Sequence, residues 1–231
     1  MDRPRLPAQG QIQAMFDDIV GHYDVLNSLM ALGLDGHWRT LTARAIGLQP
    51  AGLVLDLGCG SGTLSAKLGG HVRVVGVDVS PAMLALAKQR LNGRAQLVLG
   101  SAFSLPFRDE SFAGAVSGFV LRNLDDLDGA FRELARVLKP GGRVALLDAT
   151  LPQRPAMRRA FDLYFGRVAP ALGRLAGKRE AYAYLVKSLA HLPPLDELCC
   201  MLDRAGFEQT EARSLFVGAV TLFTGSRRQS L

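Results

Sequence analysis

Residues 53–68 read LVLDLGCGSGTLSAKL. An apolar run ends on an acid, Asp56, and glycines then alternate at 58, 60 and 62 before a helix-like stretch, TLSAKL. The pattern predicts a strand, a glycine loop and a helix. Glycine lets a backbone turn tightly and approach a ligand with no Cβ in the way. A helix N-terminus behind such a loop offers free N–H groups and partial positive charge. Alone, the loop could also be a structural turn. A second acid narrows the choice: 22 residues after Asp56, the run VRVVGVD ends on Asp78. A carboxylate there suits the paired hydroxyls of a ribose, so a nucleoside-containing ligand fits. The spacing G-x-G-x-G differs from the G-x-G-x-x-G of dinucleotide sites. Asp56 would repel a pyrophosphate and could receive a cationic ligand, directly or through water.

Working outward, short apolar runs alternate with helical stretches: VRVVGVD, PAMLALAKQRL, AQLVLG, FAGAVSGFV, a helix near 126–138 and RVALLDA. This alternation argues for βαβ units and a parallel sheet covered on both faces. Ser80 followed by Pro81 reads as a helix N-cap with proline at the first position. Asp125 is placed to cap the next helix, whose apolar face is Leu127, Ala130, Phe131, Leu134 and Leu138. KPGG at 139–142 reads as a tight turn. Two final strands are expected near 208–215 and 217–224, joined around Gly218. The fold class is α/β, a three-layer Rossmann-like sheet, mostly parallel with an antiparallel terminal strand. Four segments are expected within one domain: a helical cover (1–50), the α/β core (51–150), substrate-side helices (151–206) and the closing strand pair (207–231).

The 231 residues carry a net charge of +6, with 27 basic side chains that are dispersed rather than striped. Aromatic residues do not interleave with them as single-strand binders require, so nucleic acid is not expected. Cys59, Cys199 and Cys200 form neither a disulfide framework nor a zinc spacing; the adjacent pair reads as helix packing, and no metal is expected. The first ten residues lack the apolar core of a signal peptide, and no apolar stretch approaches a spanning length. A cytoplasmic protein is the expectation.

The D-x-G-x-G-x-G loop, Asp78, and Ser101–Ala102 after the third strand resemble the class I S-adenosylmethionine-dependent methyltransferases. That cofactor's zwitterionic methionine end and sulfonium match the charges of the loop. Residues 16–39, FDDIVGHYDVLNSLMALGLDGHWR, resemble the signature of the ubiquinone/menaquinone biosynthesis C-methyltransferases. Tyr23-Asp24, Asn27, Gly33, Trp38 and Arg39 carry that likeness. FVLRNLDD, RVLKPGG, AYAYLVKSLAHLP and DRAGFE extend it across most of the chain, about 15–225. Leu26 stands where the family has Met, Asp35 where His is common, and Gly118 where a serine usually lies beside the cofactor.

The resemblance implies that Asp78 holds the ribose and that Ser101–Ala102 lie by the adenine. Asp56, Gly58, Gly60 and Ser65 would line the methionine side. It implies a prenylated quinol as substrate, methylated on a ring carbon ortho to a hydroxyl, as when demethylmenaquinol becomes menaquinol. Arg122 would stabilise the developing phenolate or orient the water that takes its proton, Asn123 would bond a ring oxygen, and Tyr23 would position the ring. The bland reading of Arg122 is a salt bridge to Asp125 or Asp126. The helices at 156–172 and 181–202 could shelter the prenyl tail, with Arg158, Arg159, Arg167 and Arg174 meeting an anionic inner membrane face. A homodimer is left open. The rival readings are a methyltransferase for another small phenol or lipid, and a cofactor-binding regulatory subunit.

Overall fold

The computed structural model describes residues 28, 31–47, 52–70, 72–168, 188 and 191–229. Seven strands form a single sheet: β1 (Leu53–Leu57), β2 (Arg73–Asp78), β3 (Ala95–Leu99), β4 (Phe112–Gly118), β5 (Leu138–Ala149), β6 (Phe207–Leu215) and β7 (Val220–Arg227). Their order is β3-β2-β1-β4-β5-β7-β6, with β7 antiparallel to both neighbours and β1 to β5 mutually parallel. The strand order reverses between β1 and β4, so the carboxyl ends of β1, β2 and β4 frame a crevice, where open α/β sheets bind ligands.

The strand sequences explain their places. Along β1 and β4 almost every residue is buried, as a strand covered on both faces requires. Side chains alternate between two layers: Leu55, Leu57, Ala115 and Leu146 pack with one set of helices, Val54, Val116, Ala145 and Leu147 with the other. The outer strand β6 is instead polar and half exposed, with Glu208, Glu211 and Arg213 charging an edge that would otherwise invite another strand.

Five helices are described: α1 (Asp35–Ala45), α2 (Pro81–Leu91), α3 (Leu127–Val137), α4 (Pro155–Leu163) and α5 (Leu195–Arg204). Ser80 caps α2, its hydroxyl accepting the Met83 N–H at 3.0 Å, and Pro81 occupies the first position. In α3 the expected face is buried through Leu134, while Leu138 already begins β5.

Several expectations are corrected. The cap of α3 is Asp126, which accepts the Gly129 N–H at 2.8 Å, not Asp125. TLSAKL forms only a short 3₁₀ turn, Ser65–Lys67, because Gly69 at φ +68° turns the chain away. KPGG is absorbed into the start of β5 beside a register shift against β4. Of the two cysteines in α5, Cys199 is half buried and Cys200 exposed, so packing explains only the first. Leu198, Met201 and Leu202 seat α5 in the same core as α3. It is therefore a helix of the sheet's core layer. Most of the N-terminal cover, including Tyr23 and Asn27, lies outside the described residues, as does 169–187.

Losing an N-cap side chain costs about 1 kcal/mol. Asp126→Ala should lower unfolding stability by that amount in urea titrations, whereas Asp125→Ala should stay within about 0.5 kcal/mol of the parent.

Candidate active site

The glycine loop leaves β1 at Leu57 and is tied across to the end of β2. Asp78 makes the tie: its Oδ2 accepts the Gly60 N–H at 2.8 Å and its Oδ1 accepts the Ser80 N–H at 2.9 Å. The turn at Gly58 requires glycine twice over. Its φ is +64°, and a Cβ there would lie 2.5 Å from a methyl of Val120. Over this loop opens a cavity of about 190 Å³. Gly58, Gly60, Asp78 and Ala102 line it, and Val79, Met83 and Leu124 add apolar wall of the kind a flat purine needs.

Three expected cofactor residues stand elsewhere. Asp56 is wholly buried beneath the loop, where its Oδ2 accepts the Ser65 hydroxyl at 2.6 Å; neither residue lines the cavity. They support the loop from behind. Ser101 turns its hydroxyl to the Phe103 N–H at 3.3 Å, shaping the bend while Gly100 and Ala102 meet the cavity. Tyr23 is outside the described residues.

A second cavity, of about 290 Å³, lies beyond Phe119, which lines both. Its walls are mainly apolar: Trp38 from α1, Met157 and Phe161 from α4, and Phe216 with Val217 from the turn before β7. Arg122 lines this cavity and Asn123 the first. The two diverge because Leu121–Asn123 is a 3₁₀ turn, which points successive side chains about a third of a turn apart. Asn123 therefore faces the cofactor side, contrary to its expected contact with the substrate ring.

Arg122 is buried, but its partner is neither Asp125 nor Asp126. Its Nη1 donates to Asp148 Oδ1, and its backbone N–H to Asp148 Oδ2 at 3.1 Å. Asp148, fully buried near the end of β5, also accepts the Ala149 N–H at 2.7 Å. Arg122 Nε keeps no hydrogen-bond partner. Among the described residues no group of His, Cys, Asp and Glu is placed to hold a metal ion, and no helix is long and apolar enough to cross a membrane.

Residues 6–227 match the model of the ubiE/COQ5 methyltransferase family. The chain belongs to that family. The ubiE/COQ5 match covers nearly its whole length, and it is 37% identical to the demethylmenaquinone methyltransferase of Desulfitobacterium hafniense, across 94% of this chain and 89% of that protein. It is 33% identical to the ubiquinone/menaquinone biosynthesis C-methyltransferase of Geotalea daltonii, across 96% and 99%. Among solved structures, Haemonchus contortus phosphoethanolamine N-methyltransferase 2 with S-adenosyl-L-methionine superposes with a TM-score of 0.63 at 16% identity, covering 84% of this chain and 53% of that one. That likeness speaks for the fold alone.

As a ubiE/COQ5 enzyme the chain is an S-adenosylmethionine-dependent methyltransferase. The donor set fits this cofactor. Asp78 lines the first cavity at the end of β2, where a carboxylate suits ligand hydroxyls, and that cavity offers apolar wall beside a polar loop. Phe119, Thr63 and Arg39 also line the first cavity, and Asp148 holds Arg122 beside the second. Phe119 carried no local signal. Asp148 carried one, as an acid ending the apolar run RVALLDA.

Burial pushes the Asp56 carboxyl up from 3.8 to about 6, against the opposing Ser65 hydrogen bond and the attraction of Arg39. The folded protein thus binds this proton more tightly than the unfolded chain, and loses stability as pH rises from about 4 to about 6. Such a shift is worth about 3 kcal/mol. Asp56→Asn keeps an acceptor for Ser65 but carries no charge. Relative to the parent it should gain about 2 kcal/mol between pH 4 and pH 7.5 in urea titrations; parallel stability curves would contradict the raised value.

Proposed function

We propose that this ubiE/COQ5 methyltransferase methylates a ring carbon of a prenylated quinol, with the demethylmenaquinol-to-menaquinol step favoured over the benzoquinol one. The observation that carries this reading is the pair of cavities meeting at Phe119: one of mixed polar and apolar lining beside the glycine loop, the other almost wholly apolar and closed at its inner side by a buried arginine. The names borne by the relatives agree with it. When bound, the cofactor supplies a methyl group on a sulfonium, an electrophile that needs no metal.

The protein's own task is to hold and electronically activate the ring. Trp38, Phe119 and Phe161 give the second cavity aromatic walls for it. Ring attack through carbon is strengthened when the neighbouring hydroxyl becomes a phenolate. Arg122 stays protonated at any working pH, so it stabilises that oxygen rather than taking its proton. Asp148 keeps the guanidinium in place, and the unpartnered Nε is a spare donor. Asn123, on the cofactor side, donates to the Phe119 carbonyl at 3.4 Å and steadies the turn on which both residues ride.

Arg122→Ala should reduce kcat by about 10²–10³-fold while changing cofactor affinity by less than about threefold. Radiolabelled methyl transfer to reduced demethylmenaquinone and to a demethylated benzoquinol, with calorimetry for the cofactor, measures both. Equal losses in turnover and cofactor affinity would remove Arg122 from the chemistry, and transfer to neither quinol would remove the substrate class.

The mouth of the second cavity supports a membrane-facing approach for the tail. Leu32, Leu163, Phe216 and Val217 stand exposed there or on adjoining α4, and Arg154 just before that helix and Arg159 on it are exposed. Arg158 is neutralised by Asp162 at 2.9 Å, which weakens its expected part. In flotation with anionic vesicles at low salt, the parent should co-float and Phe216→Ser/Val217→Ser should do so less. Absence of binding by the parent would discard the membrane contact and leave the chemistry standing.

A further inference from the structure

Arg39, on α1, lines the cofactor cavity yet is only 6% exposed. Its Nε has no hydrogen-bond partner, and its ion pair, with Asp35 one turn earlier, spans 3.9 Å, beyond hydrogen-bonding range. A buried cation held this loosely is costly unless something else meets it. The other acid that attracts it, Asp56, has an unpartnered oxygen of its own, Oδ1. Two buried groups of opposite charge thus lie near each other without bonding. They flank the loop at which a zwitterion's two charges have to be received.

The surroundings hold the guanidinium open to the cavity. Its Cζ stands 5.1 Å from the centre of the Phe119 ring, a cation–π contact that satisfies the face and leaves the edge donors free. At residue 118 there is only glycine, and a Cβ there would come within 3.0 Å of Arg39 Nη1. Any larger residue would press on the guanidinium. The space beside this strand end is therefore given to the arginine.

We infer that Arg39 binds the α-carboxylate of the cofactor's amino-acid end, in a subsite that glycine at 118 keeps clear. This rests on S-adenosylmethionine being the cofactor, and it adds a residue that neither the loop nor Asp78 supplies. A planar guanidinium is suited to a carboxylate because it can offer two parallel N–H groups. Asp56, behind the loop, adds the negative potential that the neighbouring ammonium requires. The bland alternative is that Arg39 only neutralises Asp35 and Asp56.

The two readings separate in binding, without turnover. Calorimetry would compare S-adenosylmethionine with its decarboxylated counterpart, which keeps the sulfonium and amine but lacks the carboxylate. The parent should bind the decarboxylated form about 10–100-fold more weakly, the range for losing a charge-assisted contact. Arg39→Met should bind the two forms within about threefold of each other, and Arg39→Lys should recover part of the preference. A preference fully retained in Arg39→Met would overturn the inference. If Arg39→Met does not fold, Gly118→Val makes the same test by displacing the guanidinium, and its ratio should also collapse; an unchanged ratio counts against the subsite. A parent that binds neither ligand would overturn the cofactor reading itself, and the inference with it.

Discussion

The bond from the Gly60 N–H to Asp78 is the interaction on which the rest of the site depends. It fastens a loop that begins at the end of β1 to the end of β2, so two strands that are neighbours in the sheet present one rigid rim. The other Asp78 oxygen accepts the Ser80 N–H, which fixes the start of α2 against the same rim. One carboxylate thereby sets the loop and a helix start at the wall of the first cavity. Gly58 must adopt a left-handed conformation with Val120 pressed against it, so the loop has little freedom to settle elsewhere.

Across the rim, the end of β4 divides the crevice. Phe119 is held at φ +67°, where an L-residue with a bulky side chain is strained. The residues Leu32, Phe216 and Val217, which line the apolar cavity beyond it, also have positive φ. Strain of this kind persists only where surrounding structure imposes it. Here the imposed shape is a wall between a chamber of mixed lining and an apolar one, followed by a 3₁₀ turn that sends Arg122 to one side and Asn123 to the other. A reaction that joins a charged donor to an apolar acceptor needs that separation up to the point of contact.

What was legible in the sequence was local. The glycine loop, Asp78, the Ser80–Pro81 cap and the alternation of strands with helices each declare themselves within a few residues, and they sufficed for the fold and the cofactor rim. What was not legible depends on register between distant segments. Arg122 finds Asp148 because β4 and β5 run side by side, although 26 residues separate the two. Nothing near Arg122 distinguishes that acid from Asp125 or Asp126. The apolar stripe of α5 is genuine, but a stripe does not say which layer it meets, and Leu198 and Leu202 meet the sheet core. The loop pattern places Asp56 beside the ligand, whereas strand alternation turns it inward beneath the loop.

The two buried arginines show how similar pairs can serve different ends. Both approach the Phe119 ring, at 5.1 and 5.5 Å, and both lie near an inward-facing acid of a central strand. Arg122 is closed onto Asp148 by side chain and backbone together, so its charge is compensated before any ligand arrives and its orientation is set. Arg39 and Asp56 each retain a buried atom with no partner. Removing two charges from water is repaid only by good hydrogen-bond geometry, and the second pair lacks it where the first has it. An energetic deficit of that kind, placed at the wall of a cavity, is what a charged ligand can relieve. The satisfied pair is therefore the fixed tool of the apolar chamber, and the unsatisfied one the part of the mixed chamber that binding completes.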